Sequence, residues 1–152
     1  MRAKSMATLL LLGLAIFNFS RPAESQADIA VVVNSDNPAT NVTLADLRKF
    51  FSGAKRSWVG GPPVKLVTRG PGCPERLAML HLLSMSESDY KHYRTAQVFR
   101  GDAEAEPLVV PSVGMQKEAL KTFPGAISMV IARDVKPGMK VLKVDGLLPG
   151  TV

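Results

Sequence analysis

The sequence is poor in the side chains that build disulfides and metal sites, with one cysteine, Cys73, and two histidines in 152 residues. A single thiol cannot form an internal disulfide, so we expect the hydrophobic core alone to stabilise the fold. The usual zinc patterns need more sulfur and imidazole groups than are present. We therefore expect no metal and no cofactor.

Catalytic arrangements are missing as well. His81 and His92 both lie in helix-like segments, and no serine–histidine–aspartate arrangement accompanies them. Paired carboxylates, or a nucleophile with its base, do not converge on any candidate loop. The sequence thus predicts a protein that is not an enzyme.

Aromatic residues are few, and the lysines and arginines form no continuous run. Nucleic-acid-binding proteins usually carry a clustered basic surface, so we expect no nucleic-acid partner. The net charge of +6 at pH 7 is nevertheless compatible with a small anionic ligand.

One long apolar run is present, over residues 6–19, and it follows the basic residues Arg2 and Lys4. A short apolar run behind a basic start is typical of a secretory signal peptide. The alternative is an uncleaved membrane anchor. A spanning helix needs about 20 apolar residues, and Asn18 interrupts this shorter run, so the pattern favours a signal peptide.

A cleavage site follows the apolar run. Ser25 and Ala27 are small residues at positions −3 and −1 before Asp28, as signal peptidases require. We predict a signal peptide over residues 1–27 and one domain over residues 28–152, a length that suits a single hydrophobic core.

The rest of the chain alternates strand and helix patterns. Apolar, β-branched runs predict strands at 29–33, 64–68, 108–110, 126–132 and 140–144, the first buried on both faces and the last at an edge. Capping signals predict helices between Thr43 and Gly53, from Pro74, between Ser86 and Phe99, and over 112–123. This alternation predicts an α/β domain with a mostly parallel central sheet flanked by helices.

Two loops join a strand to a following helix through glycines, at residues 68–76 and 111–115. Ligands of open α/β sheets bind where strands end and helices begin, and helix N-termini favour anions. An arginine side chain adds two parallel N–H donors that can bind two oxygens of one anion. The candidate ligand residues are Arg69, Gly70, Gly72, Cys73, Glu75, Arg76, Ser112 and Gly114. The alternative interpretation is an ordinary capped connection with exposed arginines.

Three stretches, in order and spacing, resemble phosphate-binding periplasmic proteins. Residues 44–53 (LADLRKFFSG) with Trp58 resemble the family's "L..L..IF.G....W". Residues 68–73 (TRGPGC) stand where the family has "vvR..GSGT", and residues 123–129 (FPGAISM) resemble its "tpGaIGYv". The resemblance implies a three-layer, type II periplasmic-binding-protein lobe in the periplasm, and short members of the family consist of this lobe alone.

The second stretch differs from the family at the residues that grip phosphate. Cys73, Pro74 and Glu75 replace Ser-Gly-Thr, which exchanges a hydroxyl for a weak thiol donor, removes an N–H and adds a negative charge. The resemblance therefore implies an exported solute-binding-like domain that binds phosphate or a similar small oxyanion weakly. The alternative is an interaction or sensory accessory protein without a small ligand, which docks a periplasmic or membrane protein.

Other conspicuous residues have simpler explanations. We expect Trp58 to anchor its loop by packing rather than to form a ligand platform. Cys73 is read as a replacement for a capping serine rather than as a redox thiol, although a helix N-terminus lowers a thiol pKa. Core filling is expected of Met79, Met85, Met115 and Met129.

Overall fold

The structure is a computed structural model that describes residues 28–103 and 106–149. The predicted signal peptide, residues 1–27, lies outside the described residues. The described strands are β1 (Ile29–Asn34), β2 (Asn41–Val42), β3 (Lys65–Arg69), β4 (Leu108–Val110), β5 (Ala126–Ile131) and β6 (Met139–Val144). The helices are α1 (Leu44–Ser52), α2 (Pro74–Leu83), α3 (Glu87–Phe99) and α4 (Val113–Thr122), and a 3-10 turn (Ala132–Asp134) follows β5.

The strands form one sheet in the order β2-β6-β1-β5-β3-β4. β3 pairs in parallel with β4 and β5, and β2 pairs in parallel with β6. β1 lies between β5 and β6 and is antiparallel to both. Strands β2 to β6 therefore share one direction and β1 alone runs against them, so the mostly parallel sheet is confirmed in part.

The prediction that the last strand lies at an edge is wrong. β6 pairs with β1 on one side and with β2 on the other. β2 contains only Asn41 and Val42, which are too few residues for an alternating apolar and polar pattern to be recognised in the sequence. The outer strands of the described sheet are instead β2 and β4.

Both faces of the sheet are covered, which confirms the three-layer architecture. Alternation along β1 sends Val31 and Val33 into a core with α1, α2 and α3, and Ala30 and Val32 into a second core with α4. The apolar residues 30–33 are therefore buried on both faces of the sheet, as the sequence predicts, and Ile29 at the start of the strand is half-buried.

Trp58 has the packing role that the sequence predicts. Its ring lies 4.5 Å from that of Phe50, and its Nε1–H donates to the carbonyl of Gly125 at 3.1 Å. Among the methionines, Met79 and Met129 are buried, but Met115 is 51% exposed, so core filling is wrong for Met115. In residues 28–103 and 106–149, no helix combines the length and apolarity needed to cross a membrane.

Candidate functional site

The candidate residues lie at the edge of the sheet where β2 to β6 end, which we call the carboxyl edge. α1 follows β2, α2 follows β3 and α4 follows β4, so three helices begin at this edge. β3 and β4 are neighbours in register, with Arg69 opposite Val110. The loops after these two strands therefore lie side by side, as expected for the carboxyl ends of parallel strands.

Arg69 connects the two loops. Its Nη2 donates to the carbonyl of Pro111 at 3.1 Å and lies 3.9 Å from the sulfur of Cys73. Its Nη1 lies 3.6 Å from a carboxylate oxygen of Glu75. Its Nε is buried without a hydrogen-bond partner among the described residues. The side chain is 14% exposed, so part of it reaches the surface at the carboxyl edge.

The start of α2 has open backbone donors. Thr43, Ser86 and Ser112 cap α1, α3 and α4 through side-chain hydrogen bonds, whereas Cys73 makes no side-chain cap hydrogen bond. Because Pro74 at the first helical position has no N–H, the first amides of α2 belong to Glu75 and Arg76.

The loop before α2 needs one of its glycines for conformational reasons. Gly72 has a φ of 83°, in the left-handed region that side chains disfavour. No atom lies within 4 Å of the position of a Cβ at Gly70 or Gly72, so both leave the edge open. The backbone at these two glycines therefore faces open space.

The Arg76 side chain is already bound to other residues. Its Nε and Nη2 form two hydrogen bonds with the carboxylate of Glu87, at 3.0 and 2.6 Å, and its Nη1 donates to Thr68 at 3.2 Å. The guanidinium also stacks on Tyr90, 4.8 Å from the ring centre. A ligand at this edge would meet the backbone amide of Arg76 rather than its side chain.

The contact between Arg76 and Glu87 also changes the pKa of Glu87. The hydrogen bonds from the Arg76 guanidinium lower the pKa of Glu87 below its ordinary value, against a smaller opposing effect of burial. The Arg76–Glu87 pair thus balances its own charge and joins α2 to α3.

The second loop contributes less than the sequence suggests. The Ser112 hydroxyl accepts the amide hydrogen of Met115 at 3.2 Å and so serves as the cap of α4. A Cβ on Gly114 would lie in ordinary contact with the Ser112 hydroxyl, so no close approach requires a glycine there.

The crevice beneath Arg69 is tight. Its lining includes Thr68, Glu75, Arg76 and Met79, and it has no room for a water-sized molecule. Two larger clefts, of about 440 and 400 Å³, lie around Lys65 and around Trp58, away from the predicted residues. An oxyanion at Arg69 would therefore bind at the surface. No group of three or more metal-ligating side chains lies within residues 28–103 and 106–149.

Neither protein-family models nor curated proteins match the sequence. Several solved structures are similar to this chain. An ABC-type phosphate transport receptor from Vibrio cholerae has a TM-score of 0.64 and 23% identity, over 80% of this chain and 48% of the receptor. A putative phosphate ABC transporter substrate-binding protein from Clostridium perfringens, with bound phosphate, has a TM-score of 0.62 and 20% identity, over 79% and 46%.

PstS from Borrelia burgdorferi is similar, with a TM-score of 0.60 and 19% identity over 80% of this chain and 49% of PstS. The chain thus spans about half the length of the structures that it matches. These similarities confirm the predicted fold, a periplasmic-binding-protein lobe of the kind found in phosphate-binding receptors.

Proposed function

We propose that this chain is an exported solute-binding-type domain, formed by residues 28–152, that contacts phosphate or a similar small oxyanion at the start of α2. The observation that carries the proposal is the guanidinium of Arg69 beside the one described α-helix whose N-terminal amides lack a side-chain cap. A positive side chain and open amides at a helix start both favour an anion. The fold shared with phosphate receptors supports the same ligand class.

Binding at this site is weak, for two reasons. The ligand stays largely hydrated because the crevice beneath Arg69 admits no water-sized molecule. The carboxylate of Glu75 also repels an anion near Arg69. We expect a dissociation constant on the order of millimolar, which rises with salt because exposed charges are screened over about 10 Å at 0.1 M.

Titration of the purified protein with phosphate by calorimetry tests the proposal. Arg69→Ala should abolish the binding heat, because it removes the only proposed side-chain donor. Arg48→Ala is the matched control, since the Arg48 side chain lies on α1 and donates to the carbonyl of Leu82. Equal affinities in the two variants would refute a site at Arg69.

Restoring the family pattern is the complementary test. Cys73→Ser combined with Pro74→Gly returns a capping hydroxyl and one N–H donor to the start of α2, and should tighten phosphate binding. If the wild type and this variant both fail to bind phosphate or sulfate at millimolar concentrations, the small-ligand function is wrong.

Export is a separate part of the proposal and rests on the sequence pattern before Asp28. The exported protein should begin at Asp28, which intact-mass measurement of the periplasmic fraction decides. Retention of residues 1–27 together with a membrane-bound product would contradict export as a soluble domain.

A second candidate function is docking of a periplasmic or membrane protein through the same edge. Leu77, in the first turns of α2, is 56% exposed, and Met115 at the start of α4 is 51% exposed. Exposed apolar side chains on the two helices that follow β3 and β4 suit a protein partner better than a free ion. Failure of both phosphate titrations would favour this function.

A further inference from the structure

We propose that the carboxylate of Glu75 occupies the oxyanion position at Arg69, so that a free oxyanion binds only by displacing it. This inference rests on the proposed function and deepens it. It assigns to Glu75 the role of setting the affinity of the site.

The first support is where the carboxylate lies. Glu75 is only 4% exposed, although it belongs to the first turn of a helix that begins at the surface. Its carboxylate faces inward, 3.6 Å from Nη1 of Arg69. A carboxylate and a phosphate oxyanion offer the same kind of acceptor to a guanidinium, so one can replace the other.

The second support is space. Arg69 and Glu75 line the same crevice, and no water-sized volume remains in it. The other side of the guanidinium already donates to the Pro111 carbonyl. A second anion therefore has no position at Nη1 while Glu75 stays there.

The third support is the looseness of the contact. Arg76 and Glu87, the ion pair that joins α2 to α3, form hydrogen bonds of 2.6 and 3.0 Å. The 3.6 Å separation of Arg69 and Glu75 is longer than a good charge-assisted hydrogen bond, which is about 2.7–2.9 Å. A loosely held carboxylate can be exchanged for a ligand. The Arg76–Glu87 pair is held by two short hydrogen bonds and does not offer its guanidinium in this way.

Glu75→Gln tests the inference, because it removes the charge and keeps the size of the side chain. The phosphate affinity of the purified variant should rise about tenfold over the wild type, a change of about 1.4 kcal/mol. Glu118→Gln on α4 is the matched control. It changes the net charge equally away from Arg69 and should leave the affinity within about twofold of the wild type.

A thermal melt gives a second measurement. Phosphate should raise the melting temperature of Glu75→Gln more than that of the wild type at the same ionic strength in chloride. If Glu75→Gln does not fold, Glu75→Asp serves instead, since the shorter chain draws the carboxylate back from Arg69 and should also raise the affinity.

The outcomes separate the two claims. Equal phosphate affinities in the wild type and Glu75→Gln would overturn the role of Glu75 and leave the proposed oxyanion site intact. An equal gain in Glu118→Gln would also overturn it, because the effect would then be one of net charge. No phosphate binding by the wild type or by any variant would overturn the proposed function and this inference together.

Discussion

Replacement of Ile127 by alanine tests whether β5 is the central strand of the core. Ile127 is fully buried, on β5, and is paired with Val33 of β1 and Leu66 of β3. The substitution removes three carbon atoms, worth about 0.8 kcal/mol each in transfer free energy. The cavity adds to that cost because neighbours on both sides hold the strand in place, so we expect a loss of about 2–5 kcal/mol in unfolding free energy.

The assay is equilibrium unfolding in urea, followed by the fluorescence of Trp58. This residue is the only tryptophan and is buried in the same core as Ile127, so its emission reports loss of that core. Leu77→Ala is the control: its side chain is 56% exposed, and its effect should stay within about 0.5 kcal/mol. A loss well under about 1 kcal/mol for Ile127→Ala would refute the central position of β5.

Three further predictions concern contacts elsewhere in the domain. Gly125→Ala should destabilise by about 1–3 kcal/mol in urea unfolding, since its Cβ would overlap the carbonyl oxygen of Pro63; an unchanged midpoint would contradict this. Trp58→Phe should cost about 0.5–1.5 kcal/mol by circular dichroism, because it removes the hydrogen bond to Gly125. Glu87 has a lowered pKa in the folded state, so the stability gained with Arg76 is present at neutral pH and lost as the pH falls below about 4.5. Glu87→Gln should therefore lose less stability than the wild type between pH 5 and about 3, and parallel acid curves would be the contrary result.

Local sequence signals predict most of the fold. The apolar run that starts at Ile29 is long enough to identify a strand buried on both faces. Thr43 and Gly53 mark the two ends of α1, and the structure has Thr43 as its N-cap and Gly53 as its left-handed C-cap. These features depend on neighbouring residues, which is why the sequence alone suffices.

Features that depend on distant parts of the chain are harder to predict. β2 has two residues and exists because it pairs with β6, about 100 residues further along the sequence. The position of β6 inside the sheet follows from that pairing. The outward direction of Met115 depends on how α4 packs, which its local pattern does not specify.

The candidate site also has some features that the sequence predicts and others that depend on distant parts of the chain. Adjacent parallel strands bring Arg69 and the start of α4 together, as strand–helix alternation predicts. Glu75 and Arg76 look alike from the sequence, as charged residues at a helix start. Arg76 instead bonds to Glu87 on α3, and Glu75 turns inward to Arg69, because tertiary packing decides both directions.

The measurement that tests the central claim most directly is a phosphate titration followed by amide NMR. We predict shift changes at the backbone amides of Glu75 and Arg76, saturating in the millimolar range and absent in Arg69→Ala. Amide shifts that stay constant up to tens of millimolar phosphate, or that change only at the capped start of α4, would contradict an oxyanion site at α2.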